Sequence, residues 1–401
     1  MPMPEQSSDL ARLAGSAVSA RRVMEETFRF VSVPSPTGAE AEFATLYASA
    51  LESLGLETAL DEEFDNSPSV VARLRGSGGG PTLQLDGHSD TVPIPHGECS
   101  IDLEHNVVRG RGAADMKGGL AAICEALRAL EEAGVRPRGD VLVTVHGLHE
   151  APLGDQRTLR SLLRRGIAGD AAVIAELGHD HLATASRGMS IFRIEVRGSR
   201  TPVHEVELRT RDSNPIAAVR LLLDRLEEKA AVLEAGAEDA IGPETVFVGQ
   251  VRSGDFYNRV PVGAEIVGTR RYRPPTAMGD VDKELRVLCE EAAARTGLEV
   301  SLSLQEVGPA YSLEPSEPVI EALCRGYWDA VGRELPLGAA GAVGNAADFV
   351  AHGVPAVYHG VNQETAHSDD EQVSGSDLAR AARVLAATVV HFCGAERGRA
   401  S

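Results

Sequence analysis

Short β-forming segments that each run into a histidine or a carboxylate constrain this 401-residue chain more than any other feature. TLQLDG runs into His88-Ser89-Asp90, VLVTVHGL into His149-Glu150, and AAVIA into Glu176. PAVYHGV is followed by the loop that carries His367. A helical stretch, MKGGLAAICEALRALEEAG, lies between the first two segments, with Gly134 as its stop signal. Strands alternating with helices predict an α/β layer architecture with a mainly parallel sheet. In open sheets of that kind, sites form outside the carboxyl ends of the strands. Asp115 sits in the loop GRGAADMKGG just before the long helix and is predicted to join them.

The spacing of apolar residues predicts a first helix over 8–31 and a second over 40–54, with a PSPTG turn between them. Near Arg187 the pattern changes to strand, helix, strand, strand, helix, strand, ending at LEVSLSLQ. That βαββαβ order is the ferredoxin-like plan. The α/β pattern then resumes with EPVIEALCRGYWDAVG and closes on the helix SDLARAARVLAATVVHF. An inserted small domain interrupting a larger one is the simplest account, with 1–186 and 308–401 forming the larger domain and 187–307 the insertion.

Composition adds exclusions. Thirty-nine Lys and Arg stand against 59 Asp and Glu, a formal charge of −20. Nucleic-acid phosphates would be repelled by such a surface, so nucleic-acid binding is not expected. The five cysteines are scattered, with no C-x-x-C pair, which reads as reduced intracellular thiols. The polar start of the chain lacks the apolar core of a signal peptide. No run approaches the ~18–20 apolar residues of a spanning helix. A soluble, cytoplasmic protein without a membrane partner is expected.

His88, Asp115, Glu150, Glu176 and His367 gather imidazole and carboxylate donors at one sheet edge, a set that suits a borderline cation such as zinc. Any one of them alone is more often a solvated loop residue; five at the ends of different elements are hard to assign to chance. In the H-x-D pair, the carboxylate of Asp90 is predicted to accept the second imidazole N–H of His88 and fix its tautomer.

These motifs resemble the binuclear zinc amidohydrolase and peptidase family of acetylornithine deacetylase, succinyl-diaminopimelate desuccinylase, glutamate carboxypeptidase and aminoacylase-1. LDGHSDTVP is similar to its first signature, GRGAADMKGGLAA to its second and AHSDDE to its last. The resemblance covers nearly the whole chain. It implies a zinc-peptidase-like catalytic domain and an inserted ferredoxin-like lid and dimerisation domain, hence a homodimer. It implies two divalent ions, zinc with cobalt or manganese as alternatives, bridged by Asp115. His88 and Glu176 would complete one site, and Glu150 and His367 the other. Such a pair generates hydroxide at neutral pH and polarises a scissile carbonyl. The resemblance also gives His204, in TPVHEV, the role of reaching across the dimer to the oxyanion. Asn258 in YNRVP and Arg271 in GTRRYRPP would hold a substrate carboxylate, which an Arg fork matches with two parallel N–H bonds. Arg270 and Arg273 flank Arg271, and His204 also reads as a surface histidine. His179 and His181 read as loop residues, and His359 as a residue that either lines the site or does not.

One position departs from the family pattern. The family carries two adjacent glutamates, the first a general base and the second a ligand; here the pair is His149-Glu150, and APLGDQ replaces the usual glycine-rich continuation. Gly154, Arg157 and Leu159 align Glu150 with the ligand, which puts His149 in the base position; the alternative alignment makes Glu150 the base and leaves a ligand missing. Histidine ordinarily titrates at about 6.5 and glutamate at about 4.3. Two dications would keep the imidazole neutral, still able to accept a proton but without a glutamate's negative charge. Two functions follow as expectations. The first is hydrolysis of an amide in a small N-acyl amino acid or dipeptide-like substrate with a free carboxylate. The second is a repurposed relative that forms amides, does other carbonyl chemistry in a biosynthetic pathway, or binds metal without hydrolysis.

Overall fold

The computed structural model describes residues 4–398, apart from 151, 153, 179, 199–200, 209, 211–212, 237–238 and 342. The chain divides into two compact units. The first comprises Met1–Thr184, Leu313–Leu337 and Asp348–Ser401, and the second Ala185–Ser312 with Gly338–Ala347.

The first unit is built on a six-stranded sheet. Val141–His146, Leu83–His88, Ala171–Ile174 and Ala356–Tyr358 lie side by side and parallel. Glu57–Asp61 and Ser69–Leu74 add an antiparallel edge beside Val141–His146. Every residue of the four parallel strands is buried. Helices cover such a sheet on both faces, which is why these segments read as apolar runs rather than alternating ones. Lys117–Glu132 and Gly375–Cys393 pack on the central strand Leu83–His88. The fold is the expected mixed α/β architecture, and its carboxyl edge carries the predicted donors.

The predicted first helix is two helices, Pro4–Ala17 and Ala20–Val31. Ser19 caps the second, its hydroxyl accepting from the N–H of Arg22 at 3.3 Å. Glu125, buried on the helix Lys117–Glu132, accepts the Ser19 N–H at 2.6 Å and pairs with Arg22 at 2.8 Å. Both helices bury an apolar stripe in the same core, so the periodicity runs through the break without registering it.

The second unit holds an antiparallel four-stranded sheet. In sequence it runs strand Gly188–Arg197, helix Pro215–Glu234, strands Thr245–Ser253 and Gly263–Tyr272, helix Met278–Thr296, and strand Glu299–Gly308. Asn214 caps the first helix by accepting the Ile216 N–H at 3.0 Å, with Pro215 in its first turn. Residues alternate along Gly263–Tyr272 between buried and half-buried. Ala264 and Ile266 join Phe192, Ile194, Leu222 and Leu285 in the core of this unit. One face of the sheet is therefore covered by the two helices, as the period-two pattern requires. No described helix is long and apolar enough to cross a membrane.

Candidate metal centre

His88 is the last residue of its strand and is fully buried. Its Nε2 stands 3.1 Å from Asp115 Oδ1 and 3.3 Å from Glu176 Oε1. Asp115 turns its other oxygen to His367, with Oδ2 3.1 Å from His367 Nε2. Glu150 Oε1 is 3.0 Å from the same nitrogen. Asp115 thus offers one oxygen to each of two imidazoles, and each imidazole meets one further glutamate. All five predicted donors come together in the first unit.

The loop that carries Asp115 is tied down by Glu371. This buried carboxylate accepts three backbone N–H groups through Oε1, from Gly112 at 3.1 Å, Ala114 at 3.0 Å and Asp115 at 3.0 Å. Its Oε2 receives Arg111 Nη1 at 2.6 Å. Gly112 has φ +88 and the space beside it is filled by Thr91 and Lys117, so a side chain there would be strained. The motif GRGAADMKGG is therefore a cradle around a glutamate four residues beyond His367. Glu371 lay inside the motif AHSDDE, but spacing alone gave it no role. Gln363, also missed, donates from Nε2 to Asp115 Oδ1 at 3.0 Å.

Asp90 acts differently from the sequence expectation. The partner of His88 Nδ1 at 2.9 Å is the Asp90 carbonyl oxygen, and the carboxylate stands 3.6 Å away. Asp90 Oδ2 instead accepts the N–H groups of His149 at 3.0 Å and Glu150 at 2.7 Å, and the Thr37 hydroxyl at 2.9 Å. Two residues after His88, the backbone itself reaches the ring, and the carboxylate is left free to hold the next loop. The His149 ring lies flat against His88, with centroids 4.1 Å apart and planes 1° from parallel. Its Nδ1 is 2.8 Å from the side-chain amide of Gln156.

Electrostatics fit a cation. Burial alone would hold His88 neutral, yet its hydrogen bonds to Asp115 and Glu176 carry its pKa well above the usual imidazole value. Hydrogen bonds to Asp115 and Glu150 push His367 up to about 10. Burial opposes ionisation of Asp115, but the two imidazoles hold its pKa below the ordinary carboxylate range. The protons so held occupy the places that divalent ions would take. Two donors of one tetrahedral zinc ion stand roughly 3.3 Å apart. The separations of 3.0 to 3.3 Å within each half match that spacing, and the donor types suit such an ion.

In the second unit, His204 and Asn258 meet, with His204 Nε2 3.3 Å from Asn258 Nδ2. Both are exposed. Arg271 lies on a different element, the strand Gly263–Tyr272. Its neighbour Arg270 is buried and paired with Glu244 and Glu284, and Arg273 is paired with Asp239. Arg271 faces the opposite side of the sheet from Arg270 and has no carboxylate partner among the described residues. Burial, with Arg187 nearby, lowers its pKa from the usual guanidinium value. Alternation along the strand thus separates Arg271 from Arg270, and an ion pair beyond the strand's end separates it from Arg273. His359 is fully buried, and its Nε2 accepts from Arg380 at 2.9 Å. Burial and that guanidinium drop its pKa to about 3, so it remains neutral. His179 lies outside the described residues.

The family model for peptidases of the M20/M25/M40 group matches residues 84–391, more than half of the chain. The chain belongs to this peptidase family. Succinyl-diaminopimelate desuccinylase of Methylobacterium nodulans is 29% identical over 373 residues, covering 87% of this chain and 91% of that one. Among solved structures, aminopeptidase PepT of Bacillus cereus superposes with a TM-score of 0.79 at 20% identity, covering 94% of this chain and 99% of that one. YxeP of Bacillus subtilis, a dinuclear metal-binding M20 peptidase, gives 0.69 at 18% identity, covering 92% and 97%. As an M20/M25/M40 peptidase, the chain is a metal-dependent hydrolase of amide or peptide bonds in small substrates.

Proposed function

We propose that this M20-family chain cleaves an amide bond in a small N-acyl amino acid or dipeptide-like substrate with a free carboxylate, using two divalent ions, zinc first among them. His88 and Glu176 would hold one ion, Glu150 and His367 the other, with Asp115 shared. The observation that carries the reading is the placement of the two Asp115 oxygens, each 3.1 Å from a different imidazole. When bound, the ions supply Lewis acidity towards a carbonyl and make a water acidic.

The chain's own residues then orient and exclude. Asp90 holds the turn that presents His149 and Glu150, and Glu371 holds the loop that presents Asp115. His149 brings an imidazole where the family brings a carboxylate, so the centre lacks that carboxylate's negative charge. That suits a substrate with negative charge of its own. Arg271, lacking a carboxylate partner, is the candidate fork for the substrate carboxylate, with Asn258 beside His204 as further donors. The family resemblance supports a homodimer, and the scattered reduced cysteines support a cytoplasmic location.

The test is metal content together with amide hydrolysis across N-acyl amino acids and dipeptides, for wild type and His149→Glu. Two ions per chain with wild-type turnover is the expected result. An inert wild type whose His149→Glu variant gains hydrolysis would overturn it and point to a repurposed site.

A further inference from the structure

The PSPTG turn lies against the segment that follows His88. The Ser35 hydroxyl donates to the Ser89 carbonyl at 2.7 Å, and the Thr91 N–H reaches the Ser35 carbonyl at 2.9 Å. The Thr37 N–H donates in return to the Thr91 carbonyl at 3.2 Å. Two residues beyond the turn, Glu40 stands at the start of the helix Ala41–Ser53 and is fully buried. Its Oε1 accepts the N–H groups of Gly38 at 2.9 Å and Leu148 at 3.0 Å. Its Oε2 accepts the Ser67 hydroxyl at 2.5 Å.

Leu148, His149 and Glu150 present three successive N–H groups, and two buried carboxylates hold all of them. Glu40 takes the first, and Asp90 Oδ2 takes the other two, at 3.0 and 2.7 Å. Asp90 Oδ2 also receives the Thr37 hydroxyl, so the two carboxylates are joined through the same turn. Leu148 has a left-handed backbone, with φ 54. Such a turn points successive N–H groups to one side, where an anion can gather them. It is strained for a residue with a side chain and persists where the surroundings hold it. Gly147 gives the carboxylate its room, because a Cβ there would stand 2.7 Å from Glu40 Oε1. Two residues after the Glu40 contact, the Glu150 side chain meets His367 at 3.0 Å.

Building on the two-metal reading above, we propose that Glu40 is a positioning residue for the ion held by Glu150 and His367. It acts through the backbone. By fixing the left-handed turn at Leu148 it sets the direction in which the Glu150 side chain leaves the chain. The role rests on reach rather than charge. Leu148 requires one acceptor oxygen at this place, and a glutamine offers it with its NH2 turned to the Ser67 hydroxyl oxygen. An aspartate keeps the charge but is one methylene too short to span from the helix start to Leu148. His88 and Glu176 stand on other segments, so their ion does not depend on this contact.

The experiment is calorimetric titration of metal-stripped protein with Zn²⁺, paired with amide hydrogen exchange at Leu148. Wild type is compared with Glu40→Ala, Glu40→Asp and Glu40→Gln, and His367→Ala marks which step of the titration belongs to the His367 ion. Wild type binds two ions. Glu40→Ala and Glu40→Asp weaken the marked ion by about 10–100-fold, the cost of losing an outer partner, and leave the other within about threefold. Both also lose exchange protection at Leu148. Glu40→Gln keeps both affinities within about threefold and keeps the protection. Leu51→Ala, a cavity under the same helix, lowers the melting temperature without separating the two ions. Should Glu40→Ala fail to fold, the contrast between Glu40→Asp and Glu40→Gln decides. Wild-type affinity in Glu40→Asp with loss in Glu40→Gln would make charge the requirement and overturn the inference. Equal weakening of both ions in Glu40→Asp, the mark of a general loss of structure, would overturn it too, as would wild-type affinity in every Glu40 variant. In each of these cases the two-metal reading stands. A wild type that binds fewer than two ions would overturn both.

Discussion

His88 and His367 each face one oxygen of Asp115 and one of a glutamate, at separations between 3.0 and 3.3 Å. Their surroundings differ. His88 ends a central parallel strand and is sealed beneath two helices, whereas His367 rides a surface loop in a left-handed backbone, with φ 63. Burial therefore works against protonation of the first and barely restrains the second, though the carboxylates raise both. The same imidazole–carboxylate pairing placed on a strand end and on a loop gives one half closed to solvent and one half open to it. The comparison teaches that coordination chemistry is set by residue type, while accessibility is set by the element that carries it.

The sharpest way to break this contrast is to remove each imidazole in turn. His88→Ala should lose its ion and also lower the metal-free melting temperature. It leaves the buried Glu176 carboxylate without its imidazole partner, a cost of roughly 1–3 kcal/mol, while Asp115 keeps His367 and Gln363. His367→Ala should lose an ion with little change in the metal-free melt, since its side chain is about half exposed. Equal melting temperatures for the two variants would erase the distinction between the halves.

A smaller effect is expected where the halves are joined. Glu371 holds the Asp115 loop by three N–H groups and stands four residues after His367, so it serves both. Glu371→Gln keeps its shape but weakens the Arg111 pair and the cradle. Affinity for both ions should fall by about 10–100-fold, measured by competition with a chelator. Loss confined to one ion would show that the halves are held independently.

The smallest effect is a count of protons. The metal-free pKa values of both imidazoles are raised, that of His367 up to about 10. At pH 7 the His367 ring is protonated and His88 is biased the same way, so incoming ions must displace the protons held there. Groups raised in the folded state stabilise it below their ordinary value of about 6.5, and that stabilisation is lost as pH rises through the raised pKa. Metal affinity therefore climbs with pH across the same window. Calorimetry in buffers with different ionisation heats should report the release, and zero release would contradict the paired imidazole–carboxylate halves.

The sequence by itself determined which donors exist and where they stand along the chain. A β segment followed by His88, Glu150 or Glu176 places that residue at a strand's carboxyl end, because strand period and segment length are local properties. The βαββαβ order of the second unit was legible for the same reason, and the signature GRGAADMKGG placed Asp115. Tertiary structure alone decided the break at Ser19, set by Glu125 more than a hundred residues away. It also turned the Asp90 carboxylate from His88 to the His149 loop, singled out Arg271 from its paired neighbours, and gave Glu371, Gln363 and Gln156 their partners. Those choices rest on individual hydrogen bonds and ion pairs, many of them between distant segments. Such bonds impose no periodicity on the residues around them, and only the folded chain brings their two ends together.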